Sequence, residues 1–119
     1  NKLISDSLII EAVDAHGDVN INFVGDYFSS IMHSGTSNVN VSGIVNESYA
    51  YQISNGKTDY SRLNAVSTHI HSRTVQDCVV FATAMVKANI QGSGSVYYED
   101  NTNLEIELKG TGTGQLIAQ

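Results

Sequence analysis

The residue pair best suited to chemistry in this sequence is His69 and His71, which flank Ile70. On a β-strand the two imidazoles would point to the same side, about 6 to 7 Å apart, within reach of one Zn²⁺ or Cu²⁺ ion. Such a site needs further ligands, and no other His or Cys lies at metal-site spacing. An outward strand face with Ile70 turned inward explains the pattern without any ligand. We therefore expect no cofactor and no metal, and retain only His69 and His71 as candidate ligands.

The acidic residues do not form an obvious catalytic set. A solenoid glycosidase or lyase needs two or three carboxylates that face one groove. Glu99 and Asp100 are adjacent, so on a strand they would face opposite ways. Glu105 and Glu107 share a face, but their alternation with apolar residues indicates that this face is solvated. We expect a protein that is not an enzyme and name no catalytic residue.

Three tyrosines are candidates for contact with a ligand. Tyr49 and Tyr51 share one face of a predicted strand, and Tyr97 follows Val96 at the start of another. A tyrosine combines a flat apolar ring with a hydroxyl, which suits contact with a glycan or a protein. Packing near a corner would explain the same residues without a ligand. Tyr49, Tyr51 and Tyr97 are the predicted ligand-binding residues.

The composition describes a single folded, β-rich domain over residues 1–119. Proline and tryptophan are absent, ten residues are glycine, and Val, Ile, Ser, Thr and Asn are plentiful beside few Leu, Glu, Lys and Arg. The net charge of −6 argues against nucleic-acid binding, and the apolar runs are too short to span a membrane. The single cysteine, Cys78, excludes an intrachain disulfide, and its apolar neighbours predict a buried thiol.

Turn-like segments recur along the chain with short alternating strands between them. Matching glycines of successive turns lie about 18 to 21 residues apart, as in the series Gly17, Gly35 and Gly56 and again from Gly94 to Gly112. Equal spacing places like residues side by side when coils stack, whereas a meander of hairpins would need primed turns, and only Asn55-Gly56 fits one. The pattern predicts an all-β, single-stranded β-helix (a β-solenoid) of about six coils of 18–21 residues. A sandwich or meander is the alternative.

Alignment of the turns predicts two columns of residues that run through the coils. The polar column at one corner comprises Asp18, Asn38, Asp77, Ser95 and Thr113. The inward aliphatic column comprises Val19, Val39 and Val96, with Gly114 at that position in the last coil. The pairing of residues 26–66 stays open, because a slip of one residue exchanges inside for outside.

The later coils resemble a known repeat. Residues 83–98 place an alternating strand before Gly92-Ser93-Gly94-Ser95 and begin another at Val96. This pattern resembles the repeat of the putative auto-transporter adhesin head GIN domain family, most clearly over residues 64–108. The family often follows the tyrosine with a basic residue, Gly, Asn and Pro, where this chain has Glu99-Asp100-Asn101-Thr102. The resemblance implies a right-handed β-helix in the bacterial cell envelope or outside the cell.

These observations lead to the hypothesis of a non-enzymatic, extracytoplasmic binding or adhesion module. Its partner would be a glycan or a cell-surface protein, with no nucleic acid and no insertion into a membrane. The chain begins at Asn1, so we expect that a signal peptide has been removed. Two alternatives stay open: a carbohydrate-active solenoid enzyme, and a structural domain that forms homo-oligomers through the exposed strand edges of its end coils.

Overall fold

The chain winds into a parallel β-solenoid. The computed structural model describes residues 3–4, 6–12, 17–33, 35–36, 38–53, 55–100 and 103–118, which form strands and bends without a helix. The strands are β1 (Leu3–Ile4), β2 (Ser7–Ala12), β3 (Asp18–Val24), β4 (Tyr27–Met32), β5 (Asn38–Gln52), β6 (Thr58–Ser72), β7 (Cys78–Val80), β8 (Met85–Ile90), β9 (Val96–Tyr98), β10 (Glu105–Lys109) and β11 (Leu116–Ala118). Within these ranges no helix is long and apolar enough to cross a membrane.

Each coil contributes strand segments to two sides of the solenoid. The first side contains β1, β3, the first halves of β5 and β6, β7, β9 and β11. The second side contains β2, β4, the remaining halves of β5 and β6, β8 and β10. Phe23 lies beside Gly43 and Gly43 beside Leu63, so the parallel pairing repeats at a constant interval here. The predicted single-stranded β-solenoid is confirmed, with about five turns rather than six coils.

One coil is shorter because a bend lacks two residues. Asp59 pairs with Val79, and Ser67, further along the same strand, pairs with Met85. The second pairing spans two residues fewer than the first, so the missing residues belong to the bend between β7 and β8. A bend can absorb such a change because the strands on either side keep their alternation of inward and outward residues.

The predicted polar column is confirmed through most of the coils. Asn38 Nδ2 donates to Asp18 Oδ1 at 3.0 Å, and Ser95 N donates to Asp77 Oδ1 at 2.9 Å. Between them, Lys57 N donates to Asn38 Oδ1 at 2.9 Å. Side chains at this corner thus bond neighbouring coils to one another where backbone pairing between strands begins.

The prediction for the last coil is wrong by two residues. Gln115, not Thr113, extends the polar column, and Leu116, not Gly114, pairs with Val96 in the aliphatic column. The glycines of the last corner stack on those of the preceding corner in order, Gly112 on Gly92 and Gly114 on Gly94. Aligning Gly94 with Gly112, as the sequence pattern suggested, matches Gly94 with the glycine that stacks on Gly92.

Inward side chains of the two sides meet in the core. Phe23, Phe28 and Tyr60 are fully buried, and their rings pack in succession with centroids 5.8 Å apart in both contacts. Smaller residues take the place of two of the rings in the next coil, where Gly43 lies beside Phe23 and Ser48 beside Phe28. Cys78 pairs with Val96 in the aliphatic column, and its predicted burial is confirmed.

Glycine is required where the backbones of neighbouring coils approach closely. Gly43 has φ +131°, and a Cβ atom at this position would lie 1.8 Å from the carbonyl oxygen of Phe23. At the corner, a Cβ atom on Gly94 would lie 1.9 Å from the carbonyl oxygen of Gln76. Both glycines therefore serve the stacking of coils.

Candidate binding surface

The second side of the solenoid brings four of the predicted site residues together. Tyr49 pairs with His69, and Tyr51 pairs with His71, across β5 and β6. The Tyr51 and His71 rings stack with centroids 4.7 Å apart, and the Tyr49 and His69 rings lie 6.4 Å apart. All four side chains point outward and are partly exposed. The histidine pair and the tyrosine pair, selected from the sequence for different reasons, form one surface.

His33 extends this surface by one coil. Its ring meets Tyr51 edge-on at 6.3 Å, so Tyr51 lies between His33 and His71. His33 Nε2 lies 3.2 Å from a carboxylate oxygen of Glu11. Sequence reasoning missed His33. The coil repeat pairs Ile31 with Tyr51, so the repeat alone does not predict the contact between His33 and Tyr51. We call this surface the aromatic strip; it comprises His33, Tyr49, Tyr51, His69 and His71.

The core supports the strip from beneath. Tyr60 Oη donates to the backbone oxygen of Tyr49 at 3.0 Å and lies 2.5 Å from Ser30 Oγ. Because the phenol has one proton, which it gives to Tyr49, the Ser30 hydroxyl donates to Tyr60. Burial raises the pKa of Tyr60, so the hydroxyl stays protonated. The strip is therefore held on a rigid sheet by a buried hydrogen-bond chain.

The surroundings of Tyr49 and His71 shift the pKa of each toward its neutral form. Partial burial lowers the pKa of His71, and the positive charge of Arg73 lowers it further. Burial raises the pKa of Tyr49, with smaller contributions from Tyr51 and Tyr27. At neutral pH Tyr49 is a phenol and His71 an uncharged imidazole, so each offers hydrogen bonds without a charge.

Charged residues follow the strip toward the end of the solenoid. Lys87 and Glu107 continue the column of Tyr49 and His69. Glu107 lies 3.6 Å from Lys87 Nζ and 3.3 Å from Lys109 Nζ, and hydrogen bonding to Lys109 lowers the pKa of this carboxyl. Because these pairs are exposed, they contribute little to stability. A shallow depression of about 220 Å³ lies between the rings and these charges.

Tyr97 does not belong to this surface. It lies on the first side of the solenoid, where it pairs with Val79 and Ile117. Its side chain is partly buried. The three predicted tyrosines therefore divide between two sides, and only Tyr49 and Tyr51 lie on the same one.

The acidic and metal-binding candidates show no convergence in the described chain. Glu99 and Asp100 are exposed after β9, while Asn101 and Thr102 lie outside the described residues. In the ranges given above, no group of three or more His, Cys, Asp or Glu side chains has the arrangement of a metal site. The geometry of the strip suits contact with a partner through rings, hydroxyls and imidazoles.

Comparison with protein families gives one match. The sequence model of the putative auto-transporter adhesin, head GIN domain, matches residues 3–102. The chain belongs to this family. No curated protein and no solved structure matches the chain. The resemblance to this family is confirmed, and the match runs from residue 3 to residue 102, so it begins well before residue 64 and ends before residue 108.

The family match covers the whole aromatic strip of this GIN domain. Residues 33–71, which supply the strip, lie inside the matched range, and so does Lys87. Glu107, Lys109 and the strands β10 and β11 lie beyond it. The solenoid nevertheless continues through them, because β10 pairs with β8 and β11 with β9 in the same parallel manner. The family's name points to the cell surface or another place outside the cytoplasm.

Proposed function

We propose that this GIN domain is a non-enzymatic binding module that acts outside the cytoplasm and contacts its partner through the aromatic strip. The observation that carries the proposal is the side-by-side arrangement of Tyr49, Tyr51, His69 and His71 on one partly exposed surface. The adhesin family to which the chain belongs supports the location and the role in binding. The partner is a glycan or a protein on a cell surface.

The chemistry of the strip explains why binding is favoured over catalysis. Tyrosine rings provide large contact areas and lose little conformational entropy on binding, while their hydroxyls add hydrogen bonds. A parallel sheet holds the rings at fixed spacing, so binding does not require ordering of a loop. Two carboxylates lie beside the strip. Glu11 is paired with His33 at 3.2 Å, and Glu107 is held between two lysines, which suits it poorly to proton transfer.

Substitution at Tyr51 tests the proposal. Arrays of glycans and of cell-surface proteins should identify a partner whose binding Tyr51→Ser weakens by about tenfold or more, as expected for a central aromatic contact. Tyr97→Ser removes a partly exposed tyrosine from the other side and is the matched control, with no effect expected. Equal binding by both variants, or glycan hydrolysis that is lost in Glu99→Gln or Asp100→Asn, would contradict the proposal.

A second candidate function is assembly through the end of the solenoid. Ile106 and Leu108 occupy core columns next to Val86 and Ala88, yet they are 43% and 56% exposed. In the described chain β10 pairs only with β8, so its other edge offers backbone groups as well as apolar side chains. We propose that a second copy of this chain covers this edge.

Sedimentation velocity over a range of concentrations tests assembly. The unchanged chain should form dimers, and Leu108→Lys should produce monomers because a charge replaces an apolar contact. Val75→Lys is the matched control, since Val75 is 65% exposed at a corner away from this edge. A monomer at the highest concentration, or dimers that persist in Leu108→Lys, would show that this edge does not mediate assembly.

A further inference from the structure

The first side of the solenoid carries a polar groove that the aromatic strip does not use. Its volume is about 490 Å³, and it opens to solvent between neighbouring strands of β3, β5 and β6. We call it the amide groove; its polar lining comprises Asn20, Asn22, Asn40, Ser42, Asp59 and Arg62. The apolar lining is limited to Ile21 and Val41, so the groove offers little contact to an apolar ligand.

A β-bulge produces the concave shape. Asn40 pairs with Asp59 and Ser42 with Arg62, so β6 has one more residue than β5 between these pairs. Asp59 Oδ1 accepts hydrogen bonds from Ser61 N at 2.9 Å and Ser61 Oγ at 2.6 Å, which holds the carboxylate at the bulge. A bulge bends its strand and redirects side chains, and this one does so at the groove wall.

The lining groups are ordered but retain capacity for further hydrogen bonds. Asn40 Nδ2 donates to Asn20 Oδ1 at 3.2 Å, which orients both amides, and their other donor and acceptor positions bond to no residue that the structure describes. Arg62 is exposed and forms no ion pair with any residue in the described ranges. A free guanidinium beside fixed amides is a group that binds a carboxylate through two hydrogen bonds.

A second depression continues the groove around the corner. Its volume is about 390 Å³, and it shares Asn40 and Asp59 with the first. Lys57 and Gln76 line its far part, and Lys57 has no ion-pair partner among the described residues. The two depressions together form an extended polar channel with a cation in each part, which fits a ligand of several repeating units.

We propose that the amide groove binds an oligosaccharide that carries a carboxylate. Hydroxyl groups of the sugar would bond to the amides of Asn20, Asn22 and Asn40 and to Asp59, and the carboxylate would bond to Arg62. A peptide strand would need an open sheet edge, but β5 is already paired on both sides. The groove lies on the other side from the aromatic strip, so this proposal stands independently of the proposed function.

Titration of the ¹⁵N-labelled chain with trigalacturonate tests the proposal. Side-chain amide signals of Asn20, Asn22 and Asn40 should shift, and the fully methyl-esterified trisaccharide should bind about tenfold more weakly because the ester has lost the charge-assisted bonds. Arg62→Gln should weaken binding of the acid by a similar factor and leave binding of the ester unchanged. Arg73→Gln makes the same charge change outside the groove and should leave both affinities unchanged.

Several results would overturn the proposal. Equal affinity for the acid and its ester would exclude recognition of the carboxylate. Shifts confined to Tyr49, Tyr51, His69 and His71 would place the ligand on the strip instead. Equal losses from Arg62→Gln and Arg73→Gln would indicate attraction by overall charge. An absence of shifts at millimolar ligand would exclude binding of acidic saccharides in the groove.

Discussion

Removal of the Tyr60 hydroxyl tests whether the core supports the aromatic strip. Tyr60→Phe keeps the ring and opens no cavity, but it removes the bond donated to Tyr49 O at 3.0 Å and the contact with Ser30 Oγ at 2.5 Å. At about 1 kcal/mol for each bond, the free energy of unfolding should fall by roughly 2 kcal/mol. Ser30→Ala removes one of the two bonds and should cost about 1 kcal/mol.

Urea denaturation of the two single variants and the double variant measures these losses. Solenoids can unfold in steps, so the transitions followed by circular dichroism and by tyrosine fluorescence must coincide before the losses are converted to free energies of unfolding. The double variant should lose less than the sum of the single losses, because both single variants break the same Ser30–Tyr60 contact. Tyr98→Phe is the control, because Tyr98 is 8% exposed and its hydroxyl bonds to no residue in the described ranges.

The structural role of the Tyr60 hydroxyl is refuted if Tyr60→Phe changes the free energy of unfolding by less than about 0.5 kcal/mol, the level of ordinary surface substitutions. It is also refuted if the losses of the two single variants are fully additive. A loss equal to that of Tyr98→Phe would mean that the buried hydroxyl has no specific role. Weaker partner binding by Tyr60→Phe, measured where the variant is still folded, would connect the buried bond to the strip.

Three further predictions concern other parts of the solenoid. Gly43→Ala should prevent folding or lower the midpoint of thermal unfolding far more than Gly17→Ala. Both glycines have a positive φ, but of the two only Gly43 would place the added Cβ atom against neighbouring backbone, 1.8 Å away. Equal midpoints for the two variants would contradict this. Cys78 should react with iodoacetamide only in urea, because burial excludes the reagent and raises the pKa of the thiol; reaction in the native chain as fast as in urea would contradict this. The pKa of His71, followed by NMR, should lie below 6.5 and rise in Arg73→Gln. Between these two pKa values the folded state binds fewer protons than the unfolded state. The contribution of neutral His71 to stability should therefore be complete above pH 6.5 and be lost as the pH falls through the pKa of the folded state. A His71 titration midpoint at or above pH 6.5 would refute the lowered pKa.

The local pattern of the sequence contains most of the fold. Alternation of inward and outward residues identifies the strands, and recurring corners identify the coils, because stacked coils place similar residues side by side. The same alternation places Tyr49 with Tyr51 and His69 with His71 on one face of their strands. The polar corner from Asp18 to Ser95 was also predictable for this reason.

The pairing of residues between coils was decided by the tertiary structure alone. The interval between paired residues shortens by two at the bend after β7 and is restored in the last coil. For this reason the prediction from glycine spacing placed Gly114 in the column that Leu116 occupies. The contact of Tyr51 with His71 and the concave wall near Arg62 depend on pairing of distant segments and on a one-residue bulge. Periodicity within a strand carries no information about how many residues a bend omits, and a single extra residue exchanges inside for outside. The sequence therefore determines which residues face outward, and the stacking of the coils determines which of them meet.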